Sequence, residues 1–460
     1  MAGPVAVGRG PFDDILRTMN RREFLHSSAV TMAGLGPVAR LAVQPSTVLD
    51  GPTALGLARG KRDELVELLS QLIAVSSPLG ESAELGQRAV ARYLDARGYR
   101  SDLVTDDPTA YTSHPDYMAP ATPYPAPAVN LVARAVTRPS KVGLFAHIDS
   151  ERAGEGWTSP PLEARIRDGR LYGLGAADDK GGVAAMAVAA TLLQAEGRPA
   201  PIVMSLHGKG GGSRGSLPTF ARLKDFSQVL YVHPAETGHG FADIKHIVRG
   251  VVDMRLTVTG WRGAARELGS PDSASFSEGG DALQAALAII DDWRGGTLKG
   301  CEVNVGELTA GDRVGSVPSS ARARVRVLFD DSRPFGEVLA AARKDAKRVA
   351  ASRGTGERHI TATLERDGLG ANHAAVPWDS PACQALRTSI ADVTGTSPAS
   401  YPTHFAGDIR YPIRLAGVPA FGMGSLAGGF YGPDEWVDID DLVRLVAVVM
   451  LCADRWARLA

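Results

Sequence analysis

One stretch of the sequence joins a strand pattern, a loop and a helix pattern, and it constrains the fold more than any other. A run of apolar residues, 142–146, leads directly into His147 and Asp149. A loop then ends in the glycine-rich segment 173–182, after which apolar residues recur at helical spacing from Val183 to Leu193. We therefore predict a buried strand, a loop and an amphipathic helix within an α/β fold. Ligands of such folds bind beyond the carboxyl ends of the strands.

Three side chains of this stretch, those of His147, Asp149 and Asp178, are of the types that bind a divalent metal. An imidazole and carboxylates near one another can hold zinc, and a carboxylate behind a ligating histidine orients its ring. Asp149 lies two residues beyond His147, so on an extended chain both face the same side. The alternative is a buried histidine without a metal, together with an Asp178–Asp179 pair that only caps the helix.

The pattern Gly-x-Gly-x-x-Asp-x-Lys-Gly at residues 173–181, after a strand that carries His-x-Asp, resembles a known family. It is the zinc-dependent family of acetylornithine deacetylase, succinyl-diaminopimelate desuccinylase, aminoacylase and carboxypeptidase G. Trp157 and the run 168–173 fit the family's spacer, and the likeness continues through 407–410 and 433–437. The resemblance implies a zinc-exopeptidase-like α/β catalytic domain with an inserted α+β lid and dimerisation domain. It also implies a homodimer formed through the lid.

Charge and cysteine content exclude several classes of function. Among 460 residues, 50 Lys and Arg balance 51 Asp and Glu, which leaves a formal net charge of -1. This balance predicts no binding to nucleic acid or to an acidic membrane surface. The three cysteines are widely spaced and predict no disulfide framework. No hydrophobic stretch is long enough to predict a membrane span.

The N-terminal residues resemble a twin-arginine export signal. Arg21 and Arg22 precede a Phe-Leu pair and a weakly apolar run rich in Ala and Gly. We therefore predict a signal and linker over residues 1–57 and a periplasmic or secreted protein. A basic tail without a targeting role is the alternative.

The periodicity of the remaining chain predicts two folding units. Apolar runs at 201–206 and 229–232 continue the buried sheet, whereas residues 252–258 and 322–327 alternate strictly between apolar and polar, as in a sheet with one solvated face. We therefore predict a first part of the catalytic domain over 58–246, an inserted lid over 247–356, and a second part of the catalytic domain over 357–460.

Several residues depart from the pattern of the resembled family. Where the family has a Glu-Glu pair, as general base and metal ligand, this chain has Lys209 and Gly210. The acidic ligand that precedes a proline is His233, and the late histidine is Tyr431. The histidine expected early in the lid is missing from residues 261–266.

These departures leave a complete ligand set at one metal position only. His147, Asp178 and His233 provide two imidazoles and a carboxylate, which suit one zinc ion with an open fourth position. Gly210 has no donor side chain, and Lys209 places a positive charge where the second ion would lie. We therefore predict one Zn²⁺ or other divalent ion per chain, or none.

The changed residues leave three functional interpretations. In the first, Lys209 acts as base or amine nucleophile with a lowered pKa, Tyr431 acts as acid and Asp149 assists, so that the enzyme cyclises, transfers an acyl group or eliminates. In the second, the chain is an ordinary amide or peptide hydrolase whose base lies elsewhere; the candidates are His207, His239 and His404. In the third, it is a catalytically silent ligand-binding protein.

Arg410 and His404 are the candidate substrate-binding residues. In the resembled family, the arginine of Gly-x-Asp-x-Arg, here Arg410, helps to hold the carboxylate of the substrate. A guanidinium can bind a carboxylate through two parallel hydrogen bonds. We therefore predict a small-molecule or short-peptide substrate such as an N-acyl amino acid. An ion pair of Arg410 with Asp408 or with another carboxylate of the fold is the alternative.

Overall fold

The computed structural model describes residues 49–78, 82–107, 109–118, 127–209, 212–234, 237–261, 280–312, 317–330, 332–354, 358–402, 404 and 407–459. The predicted twin-arginine signal lies outside these ranges. The helices are α1 (Gly51–Arg59), α2 (Arg62–Ile73), α3 (Ala83–Asp95), α4 (Gly181–Ala195), α5 (Ser216–Arg222), α6 (Ala282–Gly295), α7 (Phe335–Ala351), α8 (Pro381–Thr394) and α9 (Ile439–Trp456).

The strands include several two- and three-residue pairings beside the two main sheets. They are β1 (Tyr99–Asp106), β2 (Ala128–Ala135), β3 (Pro139–His147), β4 (Arg165–Arg167), β5 (Arg170–Tyr172), β6 (Ala200–Leu206), β7 (Gln228–Val232), β8 (Asp243–Ile244), β9 (Ile247–Val248), β10 (Gly250–Thr259), β11 (Glu302–Ala310), β12 (Ser320–Phe329), β13 (Thr361–Ala371), β14 (Ala374–Ala375), β15 (Ala399–Ser400), β16 (Ala420–Met423), β17 (Ala427–Gly428) and β18 (Trp436–Asp438).

Helix α1 lies partly inside the predicted linker. Residues 51–57, which we assigned to the linker, form most of this helix. Asp50 caps its start by accepting a hydrogen bond from the Thr53 backbone N–H at 2.8 Å. Ala54 and Ala58 are buried in the core of the catalytic domain. The catalytic domain therefore begins earlier than residue 58.

The larger sheet has the order β1-β2-β6-β3-β7-β16. β3 pairs in parallel with β6 and β7, and β16 pairs in parallel with β7, whereas β1 and β2 run antiparallel at one edge. All residues of β6 and nearly all of the second half of β3 are buried, as expected for strands covered on both faces. The predicted strand at 142–146 is therefore at the centre of the sheet, with its carboxyl end free for a site.

Helix α4 differs from the predicted amphipathic helix because residues 181–193 are buried on every side. The many alanines, such as Ala184, Ala187 and Ala190, allow close approach of both the sheet and the neighbouring helices. Helix α9 packs against it, and the two helices share one apolar cluster. The start of α4, where the loop carries Asp178, is consequently fixed from several directions.

The smaller sheet, with the order β11-β12-β10-β13, forms the lid. Val252, Met254, Leu256 and Val258 of β10 are buried against α6 and α7, and the residues between them are exposed or half-buried, as the alternation predicted. β13 pairs along β10, so the sheet continues beyond the predicted lid boundary at residue 356.

No helix in the described ranges is long and apolar enough to cross a membrane.

Candidate metal centre

Three neighbouring strands bring the predicted site residues to one edge of the larger sheet. His147 is the last residue of β3, His233 directly follows β7, and Lys209 lies three residues beyond β6. Because these strands are parallel and adjacent, their carboxyl ends lie side by side. The five-residue turn Ala176–Lys180, just before α4, adds Asp178.

The Asp178 carboxylate is the centre of this group. Its Oδ1 lies 2.8 Å from His147 Nε2 and 3.0 Å from His233 Nε2. Its Oδ2 accepts a hydrogen bond from Lys209 Nζ. Ligand atoms of the two histidines and of Asp178 all lie within 4.8 Å of one another, and the three side chains are buried.

The orientation of the two rings fits a single metal ion. His147 Nδ1 lies 3.0 Å from the backbone oxygen of Asp149, and His233 Nδ1 lies 2.7 Å from that of Pro234. A carbonyl at Nδ1 selects the tautomer whose Nε2 lone pair is available to a metal. Lys245 Nζ lies 3.0 Å from His233 Nδ1 as well, so a buried amine also borders this ring.

Opposite charges within the site hold its side chains together. Burial by itself would lower the pKa of His147, but the Asp178 and Asp149 carboxylates outweigh it and raise that pKa well above its usual value. Burial would raise the pKa of Asp178, yet Lys209 and His147 hold it well below the usual range. Metal binding must therefore displace a proton from the imidazole, as is usual for histidine ligands.

Asp149 contacts both His147 and the backbone of Gly208 and Lys209, but it does not line the cavity. Its Oδ1 accepts from the Gly208 backbone N–H at 2.8 Å, and its Oδ2 accepts from that of Lys209 at 3.0 Å. His147 lies 3.3 Å away and, with other partners, keeps the pKa of the Asp149 carboxyl low despite its burial. Asp149 is fully buried, so it positions His147 and Lys209, and the predicted direct catalytic role is not supported.

Lys209 is a buried cation that lies between two carboxylates. The side chain is 7% exposed, and its Nζ contacts Asp178 and lies 3.5 Å from Glu151 Oε1. Burial would lower the pKa of Lys209, but the carboxylates of Asp178 and Glu151 raise it instead. The two carboxylates thus favour the ammonium form of Lys209, contrary to the lowered pKa that we expected.

Tyr431 lies at the mouth of the site. It is 63% exposed, its backbone has a positive φ of 61°, and Lys209 Nζ lies 5.0 Å from the centre of its ring. Such backbone geometry is uncommon outside glycine and is concentrated at functional sites. Tyr431 borders a cavity of about 90 Å³, whose lining residues are Glu151, Arg152, Gly154, Leu174, Asp178, Tyr431, Gly432, Pro433 and Glu435.

Glu435 holds the loop that carries Asp178. Its Oε2 accepts from the Gly175 backbone N–H at 2.8 Å, and its Oε1 accepts from Ala177 at 2.9 Å and from Asp178 at 2.8 Å. Burial and the nearby Asp178 carboxylate raise the pKa of Glu435 to about 7, against the effect of the three N–H groups. Residues 433–437 belong to the family resemblance, but no role for Glu435 was predicted.

Glu151 is the second residue that the sequence analysis missed. It lies two residues beyond Asp149, and its carboxylate lines the cavity beside Lys209. The available signal was a carboxylate four residues beyond the strand-ending His147, in the loop where an α/β fold places its ligands.

Arg410 is not placed to receive a substrate. It is fully buried, and its guanidinium donates to the Gly407 backbone oxygen at 2.9 Å and to the Tyr411 hydroxyl at 2.6 Å. It also lies 3.7 Å from Asp408. The alternative reading, an arginine engaged with groups of the fold, matches this arrangement.

The other candidate histidines do not border the described cavity. His404 is half-buried, and its backbone oxygen accepts from Arg249. His207 is buried 3.7 Å from Asp149, and His239 lies at the surface beside Asp243. The structure therefore brings together His147, Asp149, Asp178, Lys209, His233 and Tyr431, and leaves Arg410 and His404 apart.

Comparisons with known proteins agree with this architecture. The chain is 27% identical over 348 residues to succinyl-diaminopimelate desuccinylase of Gluconacetobacter diazotrophicus, which covers 72% of this chain and 85% of the relative. It is 29% identical over 345 residues to the enzyme of the same name from Methylorubrum populi, with 71% and 85% covered.

Solved structures with the same fold include aminopeptidase PepT of Bacillus cereus, with a TM-score of 0.65 and 15% identity over 86% of this chain and 99% of that one. A tripeptidase of Staphylococcus aureus has a TM-score of 0.63 and 18% identity, with the same coverage. The sequence model of peptidase family M20/M25/M40 matches residues 143–455, most of the chain. The chain is thus an enzyme of the metallopeptidase and amidohydrolase type and belongs to peptidase family M20/M25/M40.

Proposed function

We propose that the chain hydrolyses the amide bond of an N-acyl amino acid or short peptide with one divalent metal ion and a fixed ammonium group. The observation that carries the proposal is the contact of Lys209 Nζ with Asp178 Oδ2, while Asp178 Oδ1 faces His147 and His233. One oxygen of the Asp178 carboxylate thus faces the other two candidate metal ligands, and its second oxygen contacts the Lys209 cation.

The metal and Lys209 would act on the same reacting group. A divalent ion held by His147, Asp178 and His233 would polarise the amide carbonyl and increase the acidity of water. Lys209 adds a positive charge that is already in place, buried and held by two carboxylates. Preorganised charge of this kind stabilises the negative oxygen that develops as the carbonyl is attacked.

Hydrolysis is better supported than the cyclisation, acyl transfer or elimination that we expected from the sequence. Those reactions were assigned to Lys209 as a neutral base or nucleophile, whereas its pKa is raised by Asp178 and Glu151. The relatives named above are a desuccinylase and peptidases. Both observations favour the ordinary hydrolytic reaction of the family with a changed set of residues.

The cavity supports a small polar substrate. Its volume is about 90 Å³, and its lining includes carboxylates, Arg152 and the exposed ring of Tyr431.

We also propose a homodimer through the lid, where β11 is the edge strand beside β12. Export by the twin-arginine route is likewise a proposal, supported by residues 20–35 of the sequence.

The test is a count of metal ions combined with a hydrolysis assay. Purified protein, reconstituted with zinc and dialysed, should contain about one zinc per chain and release free amine from N-acetyl or N-succinyl amino acids. Two ions per chain would contradict the role given to Lys209, and none would contradict the ligand set. A Lys209→Glu/Gly210→Glu/Tyr431→His variant should bind a second ion, because it restores the family's ligands at that position.

A further inference from the structure

We infer that Glu151 is the general base of this hydrolysis, an inference that rests on the proposed function. The family's base position holds Lys209, which cannot accept a proton while it is an ammonium ion. A base must lie within hydrogen-bond reach of the attacking water and must have a free lone pair. Three carboxylates line the described cavity: Asp178, Glu435 and Glu151.

Two of these carboxylates are already fully engaged. Asp178 uses one oxygen for the two histidines and the other for Lys209. Both oxygens of Glu435 accept backbone N–H groups, and the residue is only 3% exposed. Neither can take a proton from water without breaking the contacts that hold the site.

Glu151 differs from both. Its side chain is 40% exposed, so its carboxylate reaches water, and one oxygen lies 3.5 Å from Lys209 Nζ. A single charge contact at this distance leaves lone pairs on both oxygens. Among the cavity carboxylates that the structure describes, Glu151 is therefore the one that can accept a proton and pass it on.

The backbone fixes Glu151 next to the site. The preceding residue, Ser150, is buried, and its backbone N–H donates to the Ser77 oxygen at 3.0 Å. The Ser150 hydroxyl donates to the Glu151 backbone oxygen at 3.1 Å. Glu151 therefore extends the ordered segment that begins with His147, which gives a base the positional precision that proton transfer requires.

Lys209 and Glu151 together account for the lost glutamate. The resembled family has a carboxylate at position 209 and a second metal ion nearby; this chain has a cation at 209 and a carboxylate 3.5 Å away. The site thus keeps one positive and one negative group next to each other. Replacing the family's glutamate by lysine alone would remove the general base, whereas Glu151 beside Lys209 provides one.

In the proposed reaction, one water molecule is added across the amide bond. A water molecule gives one proton to a Glu151 oxygen while its own oxygen bonds to the amide carbon, and the carbonyl π electrons move to the carbonyl oxygen beside Lys209. On collapse, the C–N bond breaks and its electron pair stays on nitrogen, which takes the proton from Glu151. One water and one amide give one carboxylic acid and one amine, and Glu151 is again a carboxylate.

The test compares Glu151→Gln with Glu155→Gln, an exposed carboxylate on the same loop. The zinc-loaded protein is assayed for kcat on N-acetyl and N-succinyl amino acids, for zinc per chain, and for binding of these compounds by calorimetry. We expect Glu151→Gln to lower kcat by about 10²–10⁴-fold, with zinc content and ligand Kd unchanged. Glu155→Gln should match the wild type, and Glu151→Asp should recover part of the rate.

The outcomes separate the two proposals. A Glu151→Gln variant that keeps its kcat overturns the base assignment but leaves the proposed hydrolysis standing. One that loses zinc or ligand binding overturns it too, because the residue would then be structural. A wild type that binds zinc but hydrolyses none of the compounds overturns the proposed function, and the inference with it.

Discussion

Replacing Glu435 with glutamine tests how firmly the metal centre depends on its supporting loop. The carboxylate accepts three backbone hydrogen bonds of 2.8–2.9 Å, from Gly175, Ala177 and Asp178. A glutamine carbonyl can accept two of these, but its amide group is a donor and would face the remaining N–H. At least one bond is lost, and water has little access because Glu435 is 3% exposed.

The magnitude follows from these contacts. A hydrogen bond to a charged group contributes about 1.5–3 kcal/mol, and an unpaired buried N–H costs about 1–3 kcal/mol. We therefore expect Glu435→Gln to lower the free energy of unfolding by about 2–4 kcal/mol. Because the Asp178 backbone amide is one of the three donors, the Asp178 carboxylate should shift. Zinc affinity should then fall by about 10- to 100-fold, as for other residues that support metal ligands.

The assay is a zinc titration against a competing chelator at pH 8, where wild-type Glu435, with its pKa of about 7, is ionised. Asp434→Asn is the matched control, since the neighbouring carboxylate accepts from Thr158 at 2.9 Å on the exposed loop. If Glu435→Gln keeps the zinc affinity of the wild type, the loop that carries Asp178 holds its position without the Glu435 hydrogen bonds. That result would refute the supporting role of Glu435.

Four further substitutions test the remaining assignments. His233→Ala should sharply lower zinc affinity in a chelator competition, and a normal content would remove it from the ligand set. Lys209→Met should keep zinc but lower kcat by about 10²–10³-fold; an unchanged kcat would contradict the fixed-charge role. Tyr431→Phe should change kcat by less than about threefold, since the ring over the ammonium remains; a larger loss would support the phenol as acid. Trp293→Ala should destabilise the lid by about 3–5 kcal/mol in urea unfolding, and a smaller loss would mean that α6 repacks.

The clustering of the candidate metal ligands could be predicted from the sequence because these residues adjoin regular elements. His147 ends one parallel strand, His233 directly follows another, and Asp178 lies three residues before a helix. The periodicity of the apolar residues locates His147 and Asp178, and the family resemblance adds His233. The α/β fold with an α+β lid is confirmed for the same reason. Buried strands and half-exposed strands differ in period, and the difference marks where one sheet stops and the other begins.

The residues that were missed depend on contacts between distant segments. Glu435 meets Asp178 across 257 positions, and no local pattern encodes that pairing. The pKa of Lys209 is raised by Asp178 and also by Glu151, which lies 58 positions earlier in the chain in a loop whose path the sequence does not specify. Arg410 was assigned to substrate by resemblance, whereas its burial follows from packing around Tyr411.

The position of Glu435 also bears on when the protein can acquire its metal. During synthesis, all three candidate ligands leave the ribosome at least 200 residues before Glu435 does. The edge strand β16 and the helix α9, which pack the same domain, emerge late as well. A nascent chain therefore holds every donor atom before it holds the loop that aligns them. Metal capture should accordingly be a late event of maturation, and chains truncated before residue 420 should retain the ligands yet bind zinc weakly.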